Sequence, residues 1–145
     1  MRGELVSINI SPKKGERKKP VSKVSVKTDF GIENDAHASS SWHRQVSLLS
    51  LESIQKMQRL GLDVKPGDFA ENLTTKGINL LDLAIGTKVM IGHEVEAEVS
   101  QIGKTCHNRC AIYYQAGDCV MPKEGIFIKI LKGGVLEKGD LISSI

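Results

Sequence analysis

Residues 93–102 read HEVEAEVSQI, and their alternation constrains the fold more than any other stretch. Val95, Ala97 and Val99 fall on one parity, and Glu94, Glu96 and Glu98 on the other. Only an extended chain separates those two sets, because successive side chains in a strand point to opposite faces. This is the period-two pattern of a sheet with one face on a core and one in water. Gly92 follows TKVMI (87–91), so a hairpin is expected there. Further strands are predicted at LVSINI (5–10), VSKVSVK (21–27), RQVSLLS (44–50) and GIFIKILK (125–132), with a last short strand after the Lys-Gly-Asp turn of the tail. One helix stands out: Ser50 suits the N-cap, Glu52 the positive first turn and Gly61 the position past the end. Leu51, Ile54, Met57 and Leu60 form its apolar stripe. Many short strands with one helix predict a mainly β fold, a β-barrel or closed sheet with a few short helices.

At 145 residues the chain suits a single domain, 1–145, with a core of its own. No apolar run approaches the roughly 18 residues a membrane span needs. MRGELVSINI lacks the apolar core of a signal peptide, so a cytoplasmic location is expected. Three cysteines argue against a disulfide framework there. The net charge of +3 does not by itself imply nucleic acid. The charge is uneven, however: Lys13, Lys14, Arg17, Lys18 and Lys19 cluster in SPKKGERKKP. A solvated loop is the first expectation, and a phosphate-contacting or polyanion-binding loop the alternative. With one Trp, two Tyr and three Phe, base stacking is poorly served, so nucleic acid is not the expected partner.

Chemistry concentrates in GKTCHNRC (103–110), at the end of the clearest strand. Lys104, His107 and Arg109 accompany Cys106 and Cys110, and neighbouring cations make a thiolate nucleophilic or metal-binding. Two buried cysteines packing as small hydrophobes remain an open alternative. So does zinc, although the three-residue gap and missing second knuckle fit it poorly. A second cluster, 31–50, holds Asp35, His37, His43 and Arg44 among Gly, Ala and Ser. Small residues let backbone N–H and hydroxyl donors approach an anion, and Arg44 offers a bidentate phosphate contact. Trp42 is expected to anchor this loop in the barrel wall. PGDFAENLTTKGI (66–78) reads as a turn followed by Glu71 and Asn72.

Taken in order, GIENDAHASSSWHRQVSLLSLESI, PGDFAENLTTKGI, IGTKVMIG and VSQIGKTCHNRCAIYYQAGDCVMPKEGIF resemble the MOSC domain, named for the C-terminal domain of molybdenum cofactor sulfurases. The resemblance spans about Glu4 to Asp140 and is similar to the short stand-alone bacterial type. It implies a β-barrel-like fold and a cysteine that carries sulfur or ligates molybdenum in a pterin cofactor. RCAIYYQAGD (109–118) resembles the ligand-cysteine region of amidoxime-reducing relatives, which puts Cys110 first and Cys106 second. The resemblance further implies cofactor contacts from Asp35, His37, Arg44 and Asn72, with Lys104, His107 and Arg109 beside the thiol. The family is also associated with pyridoxal phosphate. Family members often carry Gly where this chain has Asn34, and again near Ser39. No desulfurase or iron–sulfur domain is fused within these residues. The implied roles are therefore a sulfur carrier or molybdopterin-binding protein served by a sulfur donor such as a cysteine desulfurase, or a molybdenum-dependent reductase of N-hydroxylated compounds served by an external redox partner.

Overall fold

The computed structural model describes residues 1–103 and 123–145. In chain order its elements are β1 (Arg2–Ile10), β2 (Lys19–Val21), β3 (Lys23–Lys27), β4 (Gly31–Ile32), β5 (Val46–Ser50), α1 (Leu51–Arg59), β6 (Leu73–Lys76), a single 3₁₀ turn (Leu80–Asp82), β7 (Lys88–Ile91), β8 (Val95–Ile102), β9 (Ile126–Lys132), β10 (Gly134–Glu137) and β11 (Leu141–Ser144). Seven of these strands close a barrel in the order β11-β7-β8-β9-β5-β6-β1, shut by the β1–β11 pair. β2 extends β1 outward, and β10, β3 and β4 form a small second sheet. The expected mainly β, barrel-like architecture is what the chain adopts. Among the described residues no helix is long and apolar enough to cross a membrane.

The 93–102 alternation becomes β8, with Val95, Ala97 and Val99 buried and the glutamates between them half-buried. Ile91 pairs with Val95 across the hairpin, and Gly92 takes φ +65°, a region L side chains resist. The barrel interior is a continuous apolar cluster that includes Leu5, Ile8, Leu48, Leu73, Val99 and Ile128. β1 reaches it through an irregularity. A register shift between Leu5 and Ser7 lets both Leu5 and Ile8 enter the core, while Ser7 and Asn9 are buried on the other face.

β5 and β6 pair in parallel, which requires a crossover, and α1 is part of it. Ser50 caps α1: its hydroxyl accepts from the Ser53 N–H at 3.1 Å. Gly61 just beyond has φ +93°. The buried face of the helix is Ser53, Ile54 and Met57 rather than the full expected stripe, and Leu60 is 66% exposed. The reason is local: Leu60 is already the C-cap, whereas the Ser53 hydroxyl meets Ser50 at 2.8 Å and Glu124 at 2.7 Å. Ile54 and Met57 pack with Leu49, Val64, Phe69 and Phe127 in a second apolar cluster.

Ile54→Ala is expected to lower unfolding free energy by about 2–4 kcal/mol with the fold retained, because it opens a cavity in that cluster. Urea denaturation measures it, and a loss below about 0.5 kcal/mol would show the helix to be loosely seated.

Candidate functional site

The loop between β4 and β5 turns at Asn34, whose φ of +68° lies in the left-handed region. Asn tolerates that region better than other non-glycine residues, so Asn34 makes the turn without a glycine. Asp35 follows and is buried. Its Oδ1 accepts from the Lys18 ammonium at 2.7 Å and from the Ser11 N–H at 3.1 Å; its Oδ2 accepts from the His37 N–H at 3.1 Å. Burial alone would raise the Asp35 pKa, but the Lys18 hydrogen bond and charge, with the Ser11 N–H, hold it below 3.8. A depressed carboxylate pKa contributes stability above the ordinary Asp value that is lost as pH falls through the folded pKa.

Lys18 corrects the solvated-loop reading of SPKKGERKKP. Lys13, Lys14, Arg17 and Lys19 are exposed as expected, but the Lys18 side chain is 0% exposed. Composition could not distinguish it, because the carboxylate that accepts it lies 17 residues away.

Past Asp35 the loop forms one side of a cavity of about 510 Å³. Lys14, His37 and Arg44 supply cationic or polar edges, and Ser39, Ser41 and Ser47 supply hydroxyls. Trp42, Phe127 and Ala70 form the remaining walls. Arg44 sits between two rings, its Cζ 3.7 Å from the Trp42 centroid and 5.3 Å from that of Phe127. Stacking leaves the in-plane N–H edges of a guanidinium available for a carboxylate or phosphate. Arg44 Nε is buried with no hydrogen-bond partner among the described residues. Burial pulls the Arg44 pKa below the usual guanidinium value. Ala70 holds φ +62°, a strained conformation for an alanine, at the cavity wall. Trp42 does not anchor the loop in the barrel wall as expected: it is 47% exposed and covers Arg44.

The loop is tied to the end of β8. His43 Nε2 pairs with Gln101 Oε1 at 2.8 Å, and the Gln101 amide donates to the Gly103 carbonyl at 2.7 Å. The Gly103 N–H donates to the Gly125 carbonyl at 2.7 Å, which brings the end of β8 beside the start of β9. Phe127, a cavity wall, pairs in register with both Gln101 and Ser47. Lys104, Cys106, His107, Arg109 and Cys110 lie outside the described residues.

Of the remaining expected contacts, His37 and Arg44 come together at the cavity, while Asp35 and Asn72 stand behind its wall. Asn72 is fully buried; its Oδ1 accepts from the Ser47 N–H at 3.0 Å and its Nδ2 donates to the Asn9 carbonyl at 3.2 Å. Beside it the Glu71 carboxylate accepts from the Gly67 N–H at 3.0 Å and the Thr74 hydroxyl at 2.7 Å. Burial raises the Glu71 pKa above 4.5, more than these hydrogen bonds lower it. Ser47, Ala70 and Phe127 were not legible as cavity residues, since each is ordinary in its own segment; Lys14 stood only within the basic loop's alternative reading. A second cavity, about 410 Å³, lies between α1 and the 3₁₀ turn, but its Lys56 is already paired with Glu124 at 2.6 Å. Among the described residues no three His, Cys, Asp or Glu side chains converge as a metal site.

With this barrel and loop in view, the chain belongs to the MOSC domain family, whose model matches residues 34–143. That family is linked to the molybdenum cofactor. Solved structures share the fold. The YUAD protein from Bacillus subtilis superposes with a TM-score of 0.80 at 17% identity, covering 98% of this chain and 94% of that one. YiiM from Geobacillus stearothermophilus gives 0.71 at 22% identity over 99% and 75% of the two chains. YiiM from Escherichia coli gives 0.71 at 19% over 100% and 70%. At these identities the likeness establishes the fold alone. No curated protein matches the chain in sequence.

The Glu71 environment predicts a pH signature. A raised carboxyl pKa means the native state holds the proton more tightly, so stability falls as pH rises from the unfolded pKa through the folded one. Glu71→Gln keeps an acceptor for Gly67 without a charge. Its melting temperature should match wild type near pH 4 and exceed it increasingly towards pH 7; a constant offset across that range would contradict a buried, reluctantly ionised Glu71.

Proposed function

We propose that this protein binds the molybdenum cofactor in the cation-lined cavity and presents a thiolate from residues 104–122 to it, Cys110 before Cys106. The observation that carries the reading is Arg44: a guanidinium stacked between Trp42 and Phe127, its buried Nε without a partner among the described residues, on a cavity that Lys14, His37 and serine hydroxyls also line. A buried donor left unpaired is costly, and an anionic group is what would satisfy it. The residues therefore fit the phosphate end of a pterin cofactor. When bound, the cofactor supplies the thiophilic, redox-active metal.

The chain's own residues bind and orient. Arg44 offers two in-plane N–H donors at a fixed angle, which suits phosphate oxygens better than a lysine would. Lys14, from an exposed loop, contributes charge at the mouth. Trp42 and Phe127 exclude water from the guanidinium faces, which strengthens its interaction with an anion. The same cysteine would serve a sulfur-carrier role if a donor such as a cysteine desulfurase loads it.

The test is molybdenum, pterin and cyanide-releasable sulfur content after purification from a cofactor-producing host. Near-stoichiometric molybdenum and pterin are expected, with at least a fivefold loss in Arg44→Met and in Cys110→Ser at unchanged melting temperature, and retention in Cys106→Ser. Releasable sulfur without molybdenum would favour the carrier form. A folded wild type with none of the three, or full retention in Arg44→Met, would overturn the reading.

A further inference from the structure

We infer that the buried Lys18–Asp35 ion pair is the positioning element of the cavity: it sets where Lys14 and His37 stand and contacts no ligand itself. The inference rests on reading the cavity as an anion site. Both side chains are inaccessible, at 0% and 1% exposure, so neither can touch a bound molecule. A buried ion pair is a weak source of net stability, since desolvating two charges offsets most of their attraction, and its best-attested use is to specify one arrangement.

The arrangement it specifies is on the cavity side. The Asp35 carboxylate holds the His37 N–H with one oxygen and the Ser11 N–H with the other, at 3.1 Å each. The Lys18 ammonium donates to the Ser11 hydroxyl at 3.0 Å, and that hydroxyl donates to the Lys13 carbonyl at 3.0 Å, next to Lys14. The Ala36 N–H donates to the Ser11 carbonyl at 2.9 Å, closing the two loops on each other. A third segment joins at the backbone: the Gly67 carbonyl accepts from the Lys18 N–H at 2.8 Å and from the N–H of cavity residue Ala70 at 3.0 Å. A Cβ on Gly67 would lie 2.2 Å from the Lys18 carbonyl oxygen, so the approach admits only glycine. Three cavity segments, near 11–14, 35–39 and 67–70, therefore meet at Lys18. Apolar replacements would fill the same volume but carry none of these directional bonds.

The experiment pairs Lys18→Met with Asp35→Leu. The double change leaves the net charge unaltered, so long-range attraction of an anion is preserved and only local geometry is removed. Inorganic pyrophosphate is the probe, followed by calorimetry and by amide NMR, beside Arg44→Met and thermal melts. Wild type should bind, Arg44→Met should lose binding, and the double variant should fold yet bind at least tenfold more weakly, with displaced His37 and Ser11 amide signals. A folded double variant that binds within twofold of wild type overturns the positioning role and leaves the anion site standing. No binding by wild type overturns both. If the double variant does not fold, Ser11→Ala decides: it removes the hydroxyl between Lys18 and the Lys13 carbonyl, keeps the ion pair, and should weaken binding at least threefold, while unchanged affinity overturns the inference.

Discussion

A barrel exists only if its last strand meets its first, and here one strand carries that closure. β1 pairs with β11 at its start, with β6 through its middle and with β2 at its end. Three partners fit because β6 takes one edge while β11 and β2 take successive ends of the other, and the register shift after Leu5 changes which residues face inward part-way along the strand. Leu5 and Ile8 then complete the apolar interior, while Ser7 and Asn9 turn to a polar layer on the opposite face. Sheet edges that would otherwise offer unpaired backbone groups are removed by the closure.

The polar layer behind β1 is the less obvious half of the structure. Asn9, Asn72, Glu71 and Thr74 are all fully buried, and each has a hydrogen-bond partner there. Satisfied buried networks specify one packing, since losing any member strands its partner in a dry environment. This network joins β1, the Gly67 turn and the start of β5 into a rigid floor. On that floor stand the two loops stapled by Lys18 and Asp35. The cavity is thus built on elements that resist rearrangement, although its lining comes from loops.

Charge is divided between these layers with a clear physical logic. Lys18 has a partner and is buried; Arg44 is stacked and partly buried, with its Nε unpaired among the described residues; Lys14 stands in water at the rim. A cation already neutralised serves as structure, a desolvated one without a carboxylate is disposed to meet an anion, and an exposed one draws anions from a distance. Lys14 and Lys18 come from one short basic stretch and Arg44 from a loop of small residues.

How much of this could be read from residues alone depended on how local the deciding interaction is. β8, the β7–β8 hairpin and α1 with its Ser50 cap were legible because alternation, a positive-φ glycine and a capping hydroxyl act within a few residues. The order of four motif segments also carried the family. His37 and Arg44 were legible as members of one polar loop because they stand among small residues, and both line the cavity. The burial of Lys18, the stacking of Arg44 between Trp42 and Phe127, and the withdrawal of Asp35 and Asn72 behind the wall were not. Each depends on groups 17 to 83 residues apart along the chain, as with Lys18 and Asp35 or Arg44 and Phe127. The sequence by itself determined a closed β fold with one capped helix and a polar loop rich in small residues. Only the tertiary structure decided which cations are structural and which face the cavity, because desolvation and pairing are properties of neighbours in space, and chain closure alone chooses those neighbours.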